Sequence, residues 1–120
     1  MKEIVAVLRM NKVQHTRDAL AEKGHYAMTV KNVLGRGKQK GLQYELEGDS
    51  GPQFTESPRI HYIPKRLLML LVTDDHVEEV VETIIKANQT GNIGDGKIFI
   101  CPVEDAIRVR TKETGDRAIL

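Results

Sequence analysis

Apolar residues fall along the chain in two similar blocks separated by a long polar stretch. In the first block, Ile4 to Leu8 form a near-continuous, β-branched-rich run interrupted only at Arg9, the pattern of a buried or central strand. Asn11 is placed to cap a helix, and Val13, Thr16 and Leu20, with Ala19 and Lys23, step at helical spacing until Gly24 ends the run. Tyr26 to Leu34 reads as a second strand, Met28 and Val30 alternating with Thr29 and Lys31.

The second block repeats the first. Leu67 to Val72 is unbroken apolar sequence behind Pro64, which predicts a strand buried on both faces. Asp74 and Asp75 suit a helix N-terminus, and Val77, Val80, Val81, Ile84 and Ile85 recur at i, i+3, i+4, i+7 and i+8, with Glu78, Glu79 and Glu82 opposite. Gly91, Gly94 and Gly96 are expected to end that helix, Lys97 to Val103 to form a fourth strand, and Ile107 to Arg110 to resume it. The order β-α-β-loop-β-α-β is that of an α+β, ferredoxin-like βαββαβ domain, the split βαβ unit, with both helices on one face of an antiparallel sheet. Its open face predicts self-association.

Between the blocks, Gly35 to His61 hold only Leu42, Tyr44, Leu46, Phe54 and Ile60 as sizeable apolar residues, with no period of strand or helix. A loop this long inside a compact domain is usually functional or disordered. Neither flank is long enough for its own core, so residues 1–120 read as a single domain with a long flexible loop at 37–62 and a C-terminal tail at 111–120.

Composition narrows the partners. Lys plus Arg number 18 and Asp plus Glu 17, a net charge of +1, which supplies no general field for nucleic acid or an anionic membrane. The strands also lack the exposed aromatic set of an RNA-binding sheet, Phe99 and Tyr26 excepted. Cys101 is the sole cysteine and cannot form an internal disulfide, pointing to a reducing, cytoplasmic setting. The N-terminal apolar run is too short for a signal sequence or a membrane span, so the chain reads as soluble, complete and without membrane insertion.

The total conceals a local excess. From Lys31 to Lys40 the chain carries Lys31, Arg36, Lys38 and Lys40 with no acid. Two glycine-rich segments bracket strands two and four. Gly35-Arg36-Gly37-Lys38-Gln39-Lys40-Gly41 has Lys40 where a dinucleotide fingerprint needs glycine. Gly91-Asn92-Ile93-Gly94-Asp95-Gly96-Lys97 satisfies GxxxxGK but continues with Ile98, and enters a strand instead of a helix. With Arg108 and Arg110 expected on one side of a strand, glycines and cations converge toward a polyphosphate clamp. His15, His25, His61 and His76 lack zinc spacing, and no nucleophile has an activating partner nearby, which argues against an enzyme.

Taken together, MKEIVAVLR, DALAEKG, AMTV, GRGKQKG, IPK, DDHVEEVVETI, TGNIGDGKIF and PVEDAIRVRT resemble the PII nitrogen-regulatory signal-transduction family over the whole length. The resemblance implies a non-enzymatic trimer that binds ATP or ADP in clefts between subunits and 2-oxoglutarate beside ATP through Mg²⁺. Carried onto this chain, the nucleotide site would comprise Thr29, Gly35, Gly37, Lys38, Gln39, Leu71, Gly94, Asp95, Gly96, Lys97, Arg108 and Arg110. Gln39 would be the magnesium ligand, and Gln39, Gly41 and Lys65 would hold 2-oxoglutarate. Arg36, Lys38 and Met10-Asn11 depart from the common pattern, as does a longer loop lacking the modified tyrosine in its usual context. These departures are similar to the nitrogenase-associated branch of archaea and anaerobic bacteria, which implies a homo-trimer or a hetero-oligomer with a PII paralogue and a nitrogenase component as target. The alternative partner is an ammonium transporter or a nitrogen-assimilation enzyme. The transporter-binding branch offers an arginine at the loop apex, and Glu47 to Glu56 hold acids and no cation.

Overall fold

A computed structural model describes residues 1–35 and 62–120. Arg36, Gly37, Lys38, Gln39, Gly41 and the expected loop up to residue 61 lie outside the described residues. Six elements run in order: β1 Lys2–Arg9, α1 Val13–Glu22, β2 Thr29–Gly35, β3 Ile63–Val72, α2 Val77–Asn88 and β4 Lys97–Pro102. Among the described residues every strand pair is antiparallel and the sheet order is β2-β3-β1-β4, so each half contributes one inner and one outer strand.

Register assigns the two faces. Ile4, Ala6 and Leu8 pair with Leu70, Leu68 and Arg66, and the apolar members of that row are buried under the helices with Leu20, Val80 and Ile84. Of the positions at helical spacing, Val13, Thr16 and Leu20 from α1 and Val80 and Ile84 from α2 are buried, Val77 and Val81 are half-buried and Ile85 is exposed; Ala87 and Asn88 are buried as well. Asn88 is polar yet buried because its amide nitrogen donates to Thr16 Oγ1 at 2.9 Å and to Ile84 O at 2.8 Å, tying the two helices together. Thr16 Oγ1 itself donates to Lys12 O. Asn88→Ala removes both side-chain bonds and with them the polar tie between α1 and α2, and a loss of about 1–3 kcal/mol is expected in urea denaturation followed by circular dichroism.

The helix ends differ from their sequence expectations. Neither helix has a side-chain N-cap; each is entered through a 3-10 turn, Met10–Lys12 before α1 and Asp74–His76 before α2. Asn11 sits inside the first turn, and Asp74 binds the N-terminal amine at 2.6 Å. Gly24 closes α1, with φ +89 and His25 N–H donating to Leu20 O, a Schellman closure. The helix α2 stops at Asn88, before the glycines, where Gln89 turns extended.

One further expectation is corrected. The fourth strand does not resume at Ile107: that residue makes only an isolated bridge to Thr114, and Arg108 to Lys112 form a turn. An outer strand with a single partner has no second ladder to organise a continuation. Within one chain β3 is covered on a single face, which leaves the other to the self-association its apolar run predicts. Leu68, Leu70 and Val72 are buried, whereas Leu67 and Met69 are half-buried and Leu71 is exposed. The apolar run reflects an open sheet face shared with Val5, Val7 and Phe99, the last 50% exposed. Such a patch marks an interaction surface.

Candidate ligand-binding cleft

A cleft of about 830 Å³ opens at one end of that face. Val7, Leu67, Val33 and Phe99 form its apolar wall, the end of β2 at Leu34 and Gly35 one side, and residues Asn92 to Lys97 the other. Lys65 also lines it. This combination of apolar wall and few polar groups, at this volume, is typical of small-molecule sites.

The loop between α2 and β4 takes its shape from Asp95. Its carboxylate accepts from Thr90 N–H at 2.7 Å, from Gly91 N–H at 2.9 Å and from the Thr90 hydroxyl, while Arg9 Nη1 reaches it at 3.1 Å. The Thr90 hydroxyl, the two amides and Arg9 hold the carboxyl below the usual carboxylate range. Gly91, Gly94 and Gly96 have φ of +86, +104 and +112. At Gly96 the requirement is absolute, because a Cβ there would stand 2.0 Å from Val7 O. The loop thus packs directly onto the end of β1.

Lys65 is 8% exposed, and its Nζ donates to Gly94 O at 2.8 Å. Burial, reinforced by Arg9, lowers its pKa, while Asp95 opposes the shift. Lys97 begins β4 and lines the cleft from the loop side.

Of the residues named from sequence, Gly35, Lys65, Gly94, Asp95, Gly96 and Lys97 meet in this cleft. Thr29 and Leu71 lie farther along the sheet, Thr29 beside Met69 and Leu71 beside Glu3. Arg108 and Arg110 do not line the cleft. They are not paired on a strand, and Arg108 bonds Glu113 at 3.0 Å and the carbonyls of Arg117 and Leu120. Gly37, Lys38, Gln39 and Gly41 lie outside the described residues. Sequence reading misses Arg9, Thr90, Val7 and Phe99 as components of the cleft and its loop. All four lie within the motifs MKEIVAVLR and TGNIGDGKIF, and Arg9 also breaks the first apolar run, the signals by which they could be found.

The family model of nitrogen regulatory protein P-II matches residues 1–113. The chain belongs to the P-II family. A nitrogen fixation nifHD region GlnB-like protein 2 from Methanobacterium ivanovii is 48% identical over 122 aligned positions, covering 100% of each chain. The nitrogen regulatory protein P-II 2 of Methanothermobacter thermautotrophicus is 44% identical over 119 positions, covering 99% of this chain and 97% of its own. Among solved structures, Arabidopsis thaliana PII bound to citrate superposes with a TM-score of 0.74 at 34% identity, covering 98% of this chain and 88% of that one. Family members are regulatory proteins that usually form trimers, which accounts for the open apolar face of a P-II chain. No helix among the described residues is long and apolar enough to cross a membrane.

Proposed function

We propose that this P-II protein is a cytoplasmic, non-enzymatic sensor of ATP or ADP and 2-oxoglutarate that regulates nitrogenase by direct contact through its long loop. The observation that carries the reading is the convergence of Gly35, Lys65, Gly94, Asp95, Gly96 and Lys97 on one cleft from three separate stretches of chain. The donor set suits an anionic nucleotide. Asp95 is paired with Arg9 and accepts from two amides and a hydroxyl, which turns its carboxylate into the loop and offsets its charge, and Lys65 and Lys97 stand at the walls. Val7, Leu67 and Phe99 offer apolar surface for a base.

In a trimer, Arg108 and Arg110 of a neighbouring copy would complete the phosphate site, since within one chain neither lines the cleft. Thr29 and Leu71, farther along the sheet, would meet the nucleotide from the same direction. Gly37, Lys38 and Gly41 would shape the loop base, and Gln39 would bind Mg²⁺, which bridges the anions of ATP and 2-oxoglutarate. Lys65 would pair with a carboxylate of 2-oxoglutarate. A ligand that differs in affinity between loop states shifts their populations, and the root of the loop at Gly35 adjoins the cleft. The citrate complex of the Arabidopsis protein supports polycarboxylate recognition within this family. The nifHD names of the archaeal relatives support nitrogenase as the target, with a paralogue as the alternative co-subunit.

Calorimetry on the full chain tests the reading. 2-Oxoglutarate is expected to bind only with ATP and Mg²⁺ present, and Gln39→Ala is expected to abolish that binding. Binding of 2-oxoglutarate to the nucleotide-free protein, unchanged in Gln39→Ala, would defeat it. Native mass spectrometry under the same conditions counts subunits and ligands together.

A further inference from the structure

Register places Arg9 of β1 directly opposite Lys65 of β3. Two cations facing each other across a ladder repel, and such pairs destabilise a sheet unless anions or dipoles are supplied. Here the loop after α2 supplies them. Arg9 Nη2 donates to Ile93 O at 2.8 Å and Nη1 to Asp95 Oδ1 at 3.1 Å, while Lys65 donates to Gly94 O at 2.8 Å. Three consecutive residues thus turn an acceptor toward the same pair of cations. Arg9 and Asp95 have side chains only 22% and 23% exposed, so the pair is better shielded than an ordinary surface ion pair.

We propose that Arg9 is the positioning residue of the cleft: by bridging Ile93 O and Asp95 it sets the conformation in which residues 93–97 receive the phosphates of a nucleoside di- or triphosphate, without itself touching that ligand. The guanidinium is suited to this because its planar fork reaches a carbonyl and a carboxylate at once, which an ammonium on a single stem does not. Asp95 passes the constraint on, since the same carboxylate holds the amides of Thr90 and Gly91. The inference rests on the nucleotide reading for its ligand, and on hydrogen bonds within the chain for its mechanism.

Two measurements on the full-length chain separate these parts. Amide hydrogen exchange without ligand is expected to speed up at Thr90 and Gly91 in Arg9→Gln by roughly tenfold or more, with the β1–β3 ladder unchanged and Arg9→Lys intermediate. Unchanged exchange at those amides overturns the positioning role whether or not any nucleotide binds. Titration with Mg-ATP is then compared among wild type, Arg9→Gln, Asp95→Asn and the double variant. Each single variant is expected to bind roughly ten- to hundredfold more weakly. The double variant should be no worse than the weaker single, as for residues acting through one contact. Losses that add show that Arg9 meets the ligand directly and overturn the proposal. A wild type that binds no nucleotide refutes the ligand while accelerated exchange still supports the clamp.

Discussion

Gly96→Ala is expected to lower stability by more than about 3 kcal/mol and to remove the loop from the cleft, because strain and overlap act at the same atom. The added Cβ would stand 2.0 Å from Val7 O and 3.1 Å from Val7 C, both backbone atoms of a strand held on each side by β3 and β4. No side-chain rotation relieves that contact. The φ of +112 is in addition a conformation that L side chains rarely adopt. Gly91→Ala is the matched control. Its φ is +86, but nothing lies within 4 Å of the added carbon, so only the backbone strain remains, about 1–2 kcal/mol. Urea denaturation of both variants checks the pair. Equal losses would mean that Val7 yields and that the close approach is not what holds the loop.

Lys65→Met is expected to do the opposite: keep the fold and lose the ligand. The lysine is buried opposite Arg9, and its charged form is disfavoured there, so relief of that penalty offsets part of the loss of its bond to Gly94 O, and the net cost is expected to stay within about 1 kcal/mol. Effector binding in the presence of Mg-ATP should weaken by roughly a hundredfold or more, since a shielded cation paired with a carboxylate is lost. The pH dependence has a definite sign. With the folded pKa below 10.5, the native state holds fewer protons than the unfolded chain in the window between the two values. The Lys65 penalty is therefore complete below the folded pKa and is relieved as pH rises through it. Wild type should gain stability relative to Lys65→Met across that alkaline window. Binding should run the other way, falling as pH rises through the folded pKa, because a carboxylate requires the protonated amine. A Lys65→Met protein destabilised like a core truncation would show instead that the bond to Gly94 O is structural.

The parts of the fold legible in sequence are those governed by local period. Of the stripe expected on α2, Val80 and Ile84 are buried while Ile85 is exposed, and with the row Leu68, Leu70, Val72 on β3 the buried members follow from side-chain direction alone. Gly24 closes α1 as its position predicts. The failures share a different origin. Ile107 to Arg110 have strand composition, but a strand needs a partner, and the edge beyond β4 offers none within the described residues. Asn11 has a capping side chain, yet the 3-10 turn it occupies carries the chain into α1 without one.

The candidate site divides in the same way. Gly94, Asp95, Gly96 and Lys97 can be named together because they adjoin in sequence, and Lys65 because the family motif marks it. Arg9 cannot. It stands 84 residues from Ile93 and 86 from Asp95, and only the pairing of β1 with β3 and β4 brings it to the loop. Arg108 lies away from the cleft of its own chain, bonded to Glu113 and to main-chain oxygens of residues 117 and 120, and sequence does not say from which copy an arginine reaches a cleft.

By itself, the sequence determined the α+β class, the two repeated halves and the glycine punctuation, because each depends on spacing between neighbours in the chain. Tertiary structure alone decided which face of the sheet stays open, that Gly96 has no room for a Cβ, and that two cations on adjacent strands share one loop. Those are consequences of register, and register is set by pairing between segments far apart, where local period carries no information.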